Sequence, residues 1–223
     1  MGIPVLIIGE SGSGKSTSMR NFEVDEVGIF NVASKPLPFR KQLKKVNGAS
    51  YNMIIGALKE PKLKRYVIDD SQYLLCFEMF DRAKETGYNK FTDMAQNFYT
   101  LIQYIIKHTP DDVIVSFLHH TEMTADGHLK AKTIGKMLDE KLTVEGLFSI
   151  VLLCQTDGIN QKFITQSDGY TTAKSPMEMF DEEIDNDLKS VDDSIREYYE
   201  LPERKKMQAK QKTTKKATEE KGE

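Results

Sequence analysis

One short stretch carries the clearest chemistry in this chain. Residues 9–17 read GESGSGKST, a full match to the pattern G-x-x-x-x-G-K-[ST]. Gly9, Gly12 and Gly14 allow a tight turn and a close approach of backbone to an anion, with no Cβ in the way. The loop amides, running through Glu10, Ser11, Ser13 and on to Thr17, form an anion site together with the N-terminus of a following helix. Lys15 can reach the β- and γ-phosphates of a nucleoside triphosphate, and the Ser16 hydroxyl can ligate Mg²⁺. At ordinary glycine frequencies the pattern arises by chance in roughly one chain of this size in a hundred. Its setting, after an apolar strand and before a helix, is therefore part of the argument.

A triphosphate site needs a second anchor for the metal. Residues 65–69 (RYVID) form an apolar strand ending in acid. Asp69 is placed to hold Mg²⁺, through water in many such sites. Asp70 is a candidate for polarising an attacking water; the alternative is a helix N-cap, a task Ser71 could perform equally well. A further apolar run ends in Leu118-His119-His120-Thr121-Glu122. His120 or Thr121 could sense a phosphate and Glu122 could orient water. The blander alternative has one histidine packed and the other solvated. Strand alternation sends His119 and His120 to opposite faces, which argues against a two-histidine metal site. The catalytic candidates are thus Lys15, Asp70 and Glu122, and the metal ligands Ser16 and Asp69.

These groups require a sheet to present them. Residues 4–8, 27–33, 65–69, 112–118 and 149–154 read as strands, and 16–22, 71–84 and 91–107 as helical segments. Phe91, Met94, Phe98, Leu101, Ile102 and Ile105 recur at helical spacing. Residues 35–40 (KPLPFR) hold two prolines and read as a connection. Residues 130–145 read as a loop passing into a helix. Residues 162–165 and 170–173 are expected to pair as a hairpin around Ser167-Asp168-Gly169. Strands alternating with helices predict an α/β fold, a parallel sheet covered on both faces, with ligands beyond the carboxyl ends of its strands.

Composition sets the outer limits. The hydrophobic share is 39%, below the usual globular value of roughly 45–50%, so part of the chain is expected not to pack. The expected division is a core at 1–176, an acidic helical extension at 177–201 and a disordered Lys-rich tail at 202–223. A net charge of −3 argues against a nucleic-acid binder acting through bulk charge. Lys130, Lys132, Lys136 and Lys141, or the basic tail, could still touch nucleic-acid phosphates or complete a neighbour's site; a solvated surface is the simpler reading. Cys76 and Cys154 sit in apolar runs and read as buried thiols of a reducing compartment. No apolar run is long enough for a membrane span. A soluble cytoplasmic protein is expected.

The order of phosphate loop, second strand, Asp-ended third strand and polar-ended fourth strand resembles the RecA-like and AAA-like (ASCE) branch of P-loop ATPases. In that branch an added strand separates the phosphate-binding and acidic strands. More closely, GESGSGKST, NVASKPLPFR, YVIDDSQ and FLHHTE look like small ATP-binding proteins of bacteriophages. Some of those act in single-strand-annealing recombination beside a single-stranded-DNA-binding protein. The likeness covers about residues 2–176. It implies ATP and Mg²⁺ as ligands, Lys15, Ser16 and Asp69 in their matching roles, single-stranded DNA as a partner, a homo-oligomer, and the host cytoplasm as location if the chain is of phage origin. One departure stands out: RecA-type recombinases keep a catalytic glutamate just after the second strand, where this chain has Asn31-Val32-Ala33-Ser34-Lys35. A nucleotide-switched adaptor or helicase loader is one alternative. A small nucleotide kinase is another, against which stands the lack of arginine in residues 130–145. No Asn-Lys-x-Asp guanine-reading signature occurs, which favours ATP over GTP.

Overall fold

The computed structural model describes residues 1–135 and 137–202. Its centre is strand β1 (Ile3–Gly9), a run of apolar residues whose side chains alternate between two cores. Leu6 and Ile8 enter one hydrophobic cluster, Val5 and Ile7 the other. A strand buried on both faces belongs in the middle of a parallel sheet. β2 (Gly28–Asn31), β3 (Lys45–Asn47), β4 (Arg65–Asp69), β5 (Ile114–Met123) and β7 (Ile150–Thr156) run parallel with it. β6 (Leu129–Ala131) folds back antiparallel on the end of β5, while β8 (Gln161–Ile164) and β9 (Glu183–Asp185) extend the sheet antiparallel beyond β7. The spatial order is β3-β2-β4-β5-β1-β7-β8-β9. The fold is α/β, with a mostly parallel central sheet flanked by helices, and β5 stands between β1 and β4.

Helices α1 (Tyr51–Lys59), α2 (Gln72–Asp81) and α3 (Asn89–His108) cover one face. Met94, Phe98, Leu101, Ile102 and Ile105 of α3 are fully buried there, each contributing about 1.5–3 kcal/mol by leaving water. The other face is covered by α4 (Leu188–Tyr198), through Leu188, Val191 and Ile195, with Met19 and Phe22 beside it. Residues 177–201 thus supply β9 and α4 to the same sheet and core. Of the expected disordered tail at 202–223, residues 203–223 lie outside the described residues. Among the described residues no helix is long and apolar enough to cross a membrane.

α4 is bound to the sheet by charge as well as by apolar contact. Asp192, 3% exposed, accepts hydrogen bonds from Arg65 at the start of β4 and from Arg196 one turn along the helix. Arg65 also pairs with Glu26 at 2.6 Å and with Asp193, while Arg196 donates to the carbonyls of Lys64 and Asp112. Burial raises the Asp192 carboxyl pKa despite the two guanidinium groups, so removal from water outweighs the pairing.

Several expectations need correction. Residues 16–22 do not start an α-helix; Ser16–Asn21 is a short 3₁₀ helix. The Ser18 hydroxyl bonds back to the Lys15 carbonyl at 2.6 Å, and Ser and Thr residues compete with helical bonding in this way. Residues 170–173 do not pair with β8. β8 joins β7 on one side and β9 on the other, because the free sheet edge offers a full ladder. The Asp168 turn exists, but Thr171 and Lys174 make only single bridges, to Leu129 and Val151. Residues 130–145 hold the end of β6, a π-helical turn (Met137–Leu142) and a 3₁₀ turn (Val144–Leu147); Lys136 lies outside the described residues. β3 and α1 were not expected at all. β5 runs five residues past the expected end, since β6 pairs with Thr121, Glu122 and Met123.

Candidate functional site

The carboxyl ends of β1, β4 and β5 converge on one cavity of about 230 Å³. Its lining includes Gly12, Gly14, Lys15, Ser16, Thr17, Lys35, Asp69, Asp70 and His120. Gly12 (φ +84°) and Gly14 (φ +104°) adopt backbone conformations that a side chain resists. At Gly9 an added Cβ would come within 2.7 Å of the Cys154 carbonyl, so the loop leaves β1 pressed against β7.

Lys15 is 6% exposed, and its ammonium donates to the carbonyls of Gly9 and Glu10, both at 2.8 Å. Burial lowers its pKa, against the opposing pull of nearby Cys154, Asp70 and Asp69. The Ser16 hydroxyl donates to Asp69 Oδ1 at 2.7 Å. Burial, its largest influence, raises the Asp69 pKa; the Ser16 bond acts the other way. A hydroxyl and a carboxylate this close, opening on a cavity, are oxygen donors of the kind hard cations take.

Asp70 has a left-handed backbone (φ +61°), uncommon for a residue with a side chain. Its Oδ2 lies 2.8 Å from Lys35 Nζ and its Oδ1 lies 3.3 Å from His120 Nε2. Burial pushes its pKa up, but His120 and Lys35 more than offset this and hold it below the usual carboxylate value. Tyr73 completes the group: its ring sits 4.8 Å from the Lys35 ammonium and edge-on to His120.

Glu122 is not brought into this cavity. It pairs with Lys130 at 3.3 Å across β5 and β6. Glu10, Ser11, Ser13 and Thr121 line a second cavity, of about 530 Å³, on the other side of the loop. Among the described residues only Ser11 borders both, and neither Lys15 nor Asp69 lines the larger one. Sequence reasoning missed Lys35, Asn186, Gln161 and Arg20. Gln161 packs where a Cβ on Gly14 would stand, and Asn186 donates to the Gly14 carbonyl at 3.3 Å while accepting from Arg20. Lys35 lies in the NVASKPLPFR segment and Arg20 in the segment 16–22, but neither reading marks them as site residues, and the fold brings all four to the loop.

His119 and His120 do face opposite ways. His119 is fully buried, with Nε2 2.8 Å from the Lys132 carbonyl and Nδ1 2.9 Å from the Ser71 hydroxyl. A carbonyl can only accept, so Nε2 carries the proton. Burial lowers the His119 pKa from 6.5 to about 4. Between those values the unfolded chain binds the extra proton and the folded chain does not, so stability falls as pH falls through this window. The urea midpoint should drop on acidification from pH 6.5 toward 4, with a His119 contribution of at most about 1.4 kcal/mol per pH unit. A His119→Asn variant should lose that part of the slope; an equal slope in both proteins would assign the acid sensitivity to other groups.

Comparison with protein-family models and with curated proteins finds no match for this chain.

Proposed function

We propose that this chain is a P-loop ATPase of RecA-like (ASCE) arrangement that binds ATP with Mg²⁺ and acts on single-stranded DNA in phage-type recombination or replication. The observation that carries the nucleotide reading is the convergence of Lys15, Ser16 and Asp69 on one cavity at the carboxyl edge of the sheet. The position of β5 between β1 and β4 supports the ASCE arrangement. The DNA part rests on the likeness of residues 2–176 to phage ATP-binding proteins, as do a single-stranded-DNA-binding protein and further copies of this chain as partners.

The donor set fits Mg²⁺ and a triphosphate. Ser16 and Asp69 would hold the metal, which when bound neutralises charge on the phosphate oxygens. Lys15 would exchange its loop carbonyls for phosphate oxygens, gaining charge-assisted hydrogen bonds. Asp70 faces the cavity as a carboxylate, so it is the acid placed to accept a hydrogen bond from an attacking water and orient it. Glu122, paired with Lys130 outside this cavity, is less well placed for that task.

A second reading has its own support. The carboxylate of Asp70 is already engaged by Lys35, and the segment after β2 offers no acid. Slow turnover would suit an adaptor or helicase loader that uses nucleotide as a switch. Measuring ATP hydrolysis with and without single-stranded DNA separates the two. DNA-stimulated phosphate release is the expected outcome for the ATPase. Tight ATP binding with no hydrolysis in either condition would favour the adaptor, and no ATP binding at all would defeat both.

A further inference from the structure

We propose that Lys35 recognises the terminal phosphate of the bound triphosphate and that Asp70 holds it in reserve until that phosphate arrives. The inference rests on the nucleotide reading above and assigns a role to a residue in a connecting segment.

Lys35 is built into position. Its carbonyl accepts from the Nδ2 of Asn31 at 2.7 Å and from the Nζ of Lys45, also at 2.7 Å. Asn31 is fully buried at the end of β2, in register with Asp69, and also donates to Asn47 at 2.8 Å. The backbone of Lys35 is thus fixed relative to the metal-side acid. Its side chain is 55% exposed and is held at its tip by Asp70 and the Tyr73 ring. It lines the same cavity as Lys15, near enough for the two positive charges to oppose one another.

The charge balance of the cavity explains the pairing. Lys15 and Lys35 are matched by Asp69 and Asp70. A triphosphate adds more negative charge than one Mg²⁺ removes, and the cation best able to answer it is Lys35, which is half exposed and held by one ion pair to Asp70 and by the face of the Tyr73 ring. Asp70 meets that ammonium through one oxygen, whereas a phosphate offers it several acceptor oxygens. A diphosphate ends short of this position and leaves Lys35 on Asp70. Release of Asp70 would then coincide with arrival of the third phosphate, which frees the carboxylate facing the cavity only when there is something to hydrolyse.

The test compares Mg²⁺-dependent affinity for ATP and for ADP by calorimetry, in the unmodified protein and in Lys35→Met and Lys35→Arg. Lys35→Met is expected to reduce the preference for ATP over ADP about tenfold, the value of one charge-assisted contact, with ADP affinity unchanged. Lys35→Arg keeps the charge and should retain most of the preference. Asp70→Asn removes the competitor and should increase it. An unaltered ATP/ADP ratio in Lys35→Met, or an equal loss for both nucleotides, would overturn the role of Lys35 while leaving the site's nucleotide binding intact. Failure of the unmodified protein to bind either nucleotide would instead overturn the nucleotide reading itself.

Discussion

Lys15→Ala is expected to lower ATP affinity by about ten- to a hundredfold, the range for one hydrogen bond to a charged group, and to reduce turnover by at least about a hundredfold. The side chain is almost wholly buried, and among the described residues its ammonium is satisfied only by the carbonyls of Gly9 and Glu10. Burial disfavours its charge. A cation kept in such a place is costly in the ligand-free protein and rewarding once an anion reaches it. The same substitution should therefore leave the ligand-free urea midpoint unchanged or slightly higher. Fluorescent-nucleotide titration, phosphate release and a urea curve together check this. A collapse of the midpoint alongside the loss of binding would mean that Lys15 serves chiefly to close its own loop.

The second large effect concerns the fold. Asp192→Ala should cost about 3 kcal/mol or more of stability, as removal of one partner from a buried ion pair does. It leaves Arg196 and Arg65 facing a place that no longer carries an anion. Arg65 keeps Glu26 and Asp193, which limits the damage. Asp193→Ala is the matched control: it removes a half-exposed partner of the same arginine and should cost under about 1 kcal/mol. Equal urea midpoints for the two variants would show that burial does not set the strength of this network.

The central strands were legible because each combines an apolar run with a distinctive end. β4 has the expected bounds, residues 65–69, with its acid at the carboxyl end. The glycine-rich loop was legible from composition and spacing. β3 was not, for a physical reason: it is three residues long, mostly exposed and held by its neighbour β2. α1 does leave a trace, with Tyr51, Ile54, Ile55 and Leu58 at helical spacing behind the Ser50 N-cap, and Gly56 in its middle is what weakens the signal. The pairing of β8 was missed because the turn at Asp168 is a local signal, whereas strand partners are decided by which sheet edge is free. Lys35 illustrates the limit for the site: a lysine between a serine and a proline has no marker of function until Asn31 and Asp70 are seen on either side of it.

The bond from Asn186 to the Gly14 carbonyl bears on where the smallest working piece of this chain could be cut. The change in composition near residue 176 invites a truncation there, upstream of β9 and α4. Such a fragment would keep every residue of the GESGSGKST loop yet lose Asn186, which joins that loop to Arg20 and to Cys154 on β7. On the proposed reading, the minimal nucleotide-binding unit therefore extends at least through Asn186, and a cassette designed from the motif-bearing half alone would carry the loop without its brace.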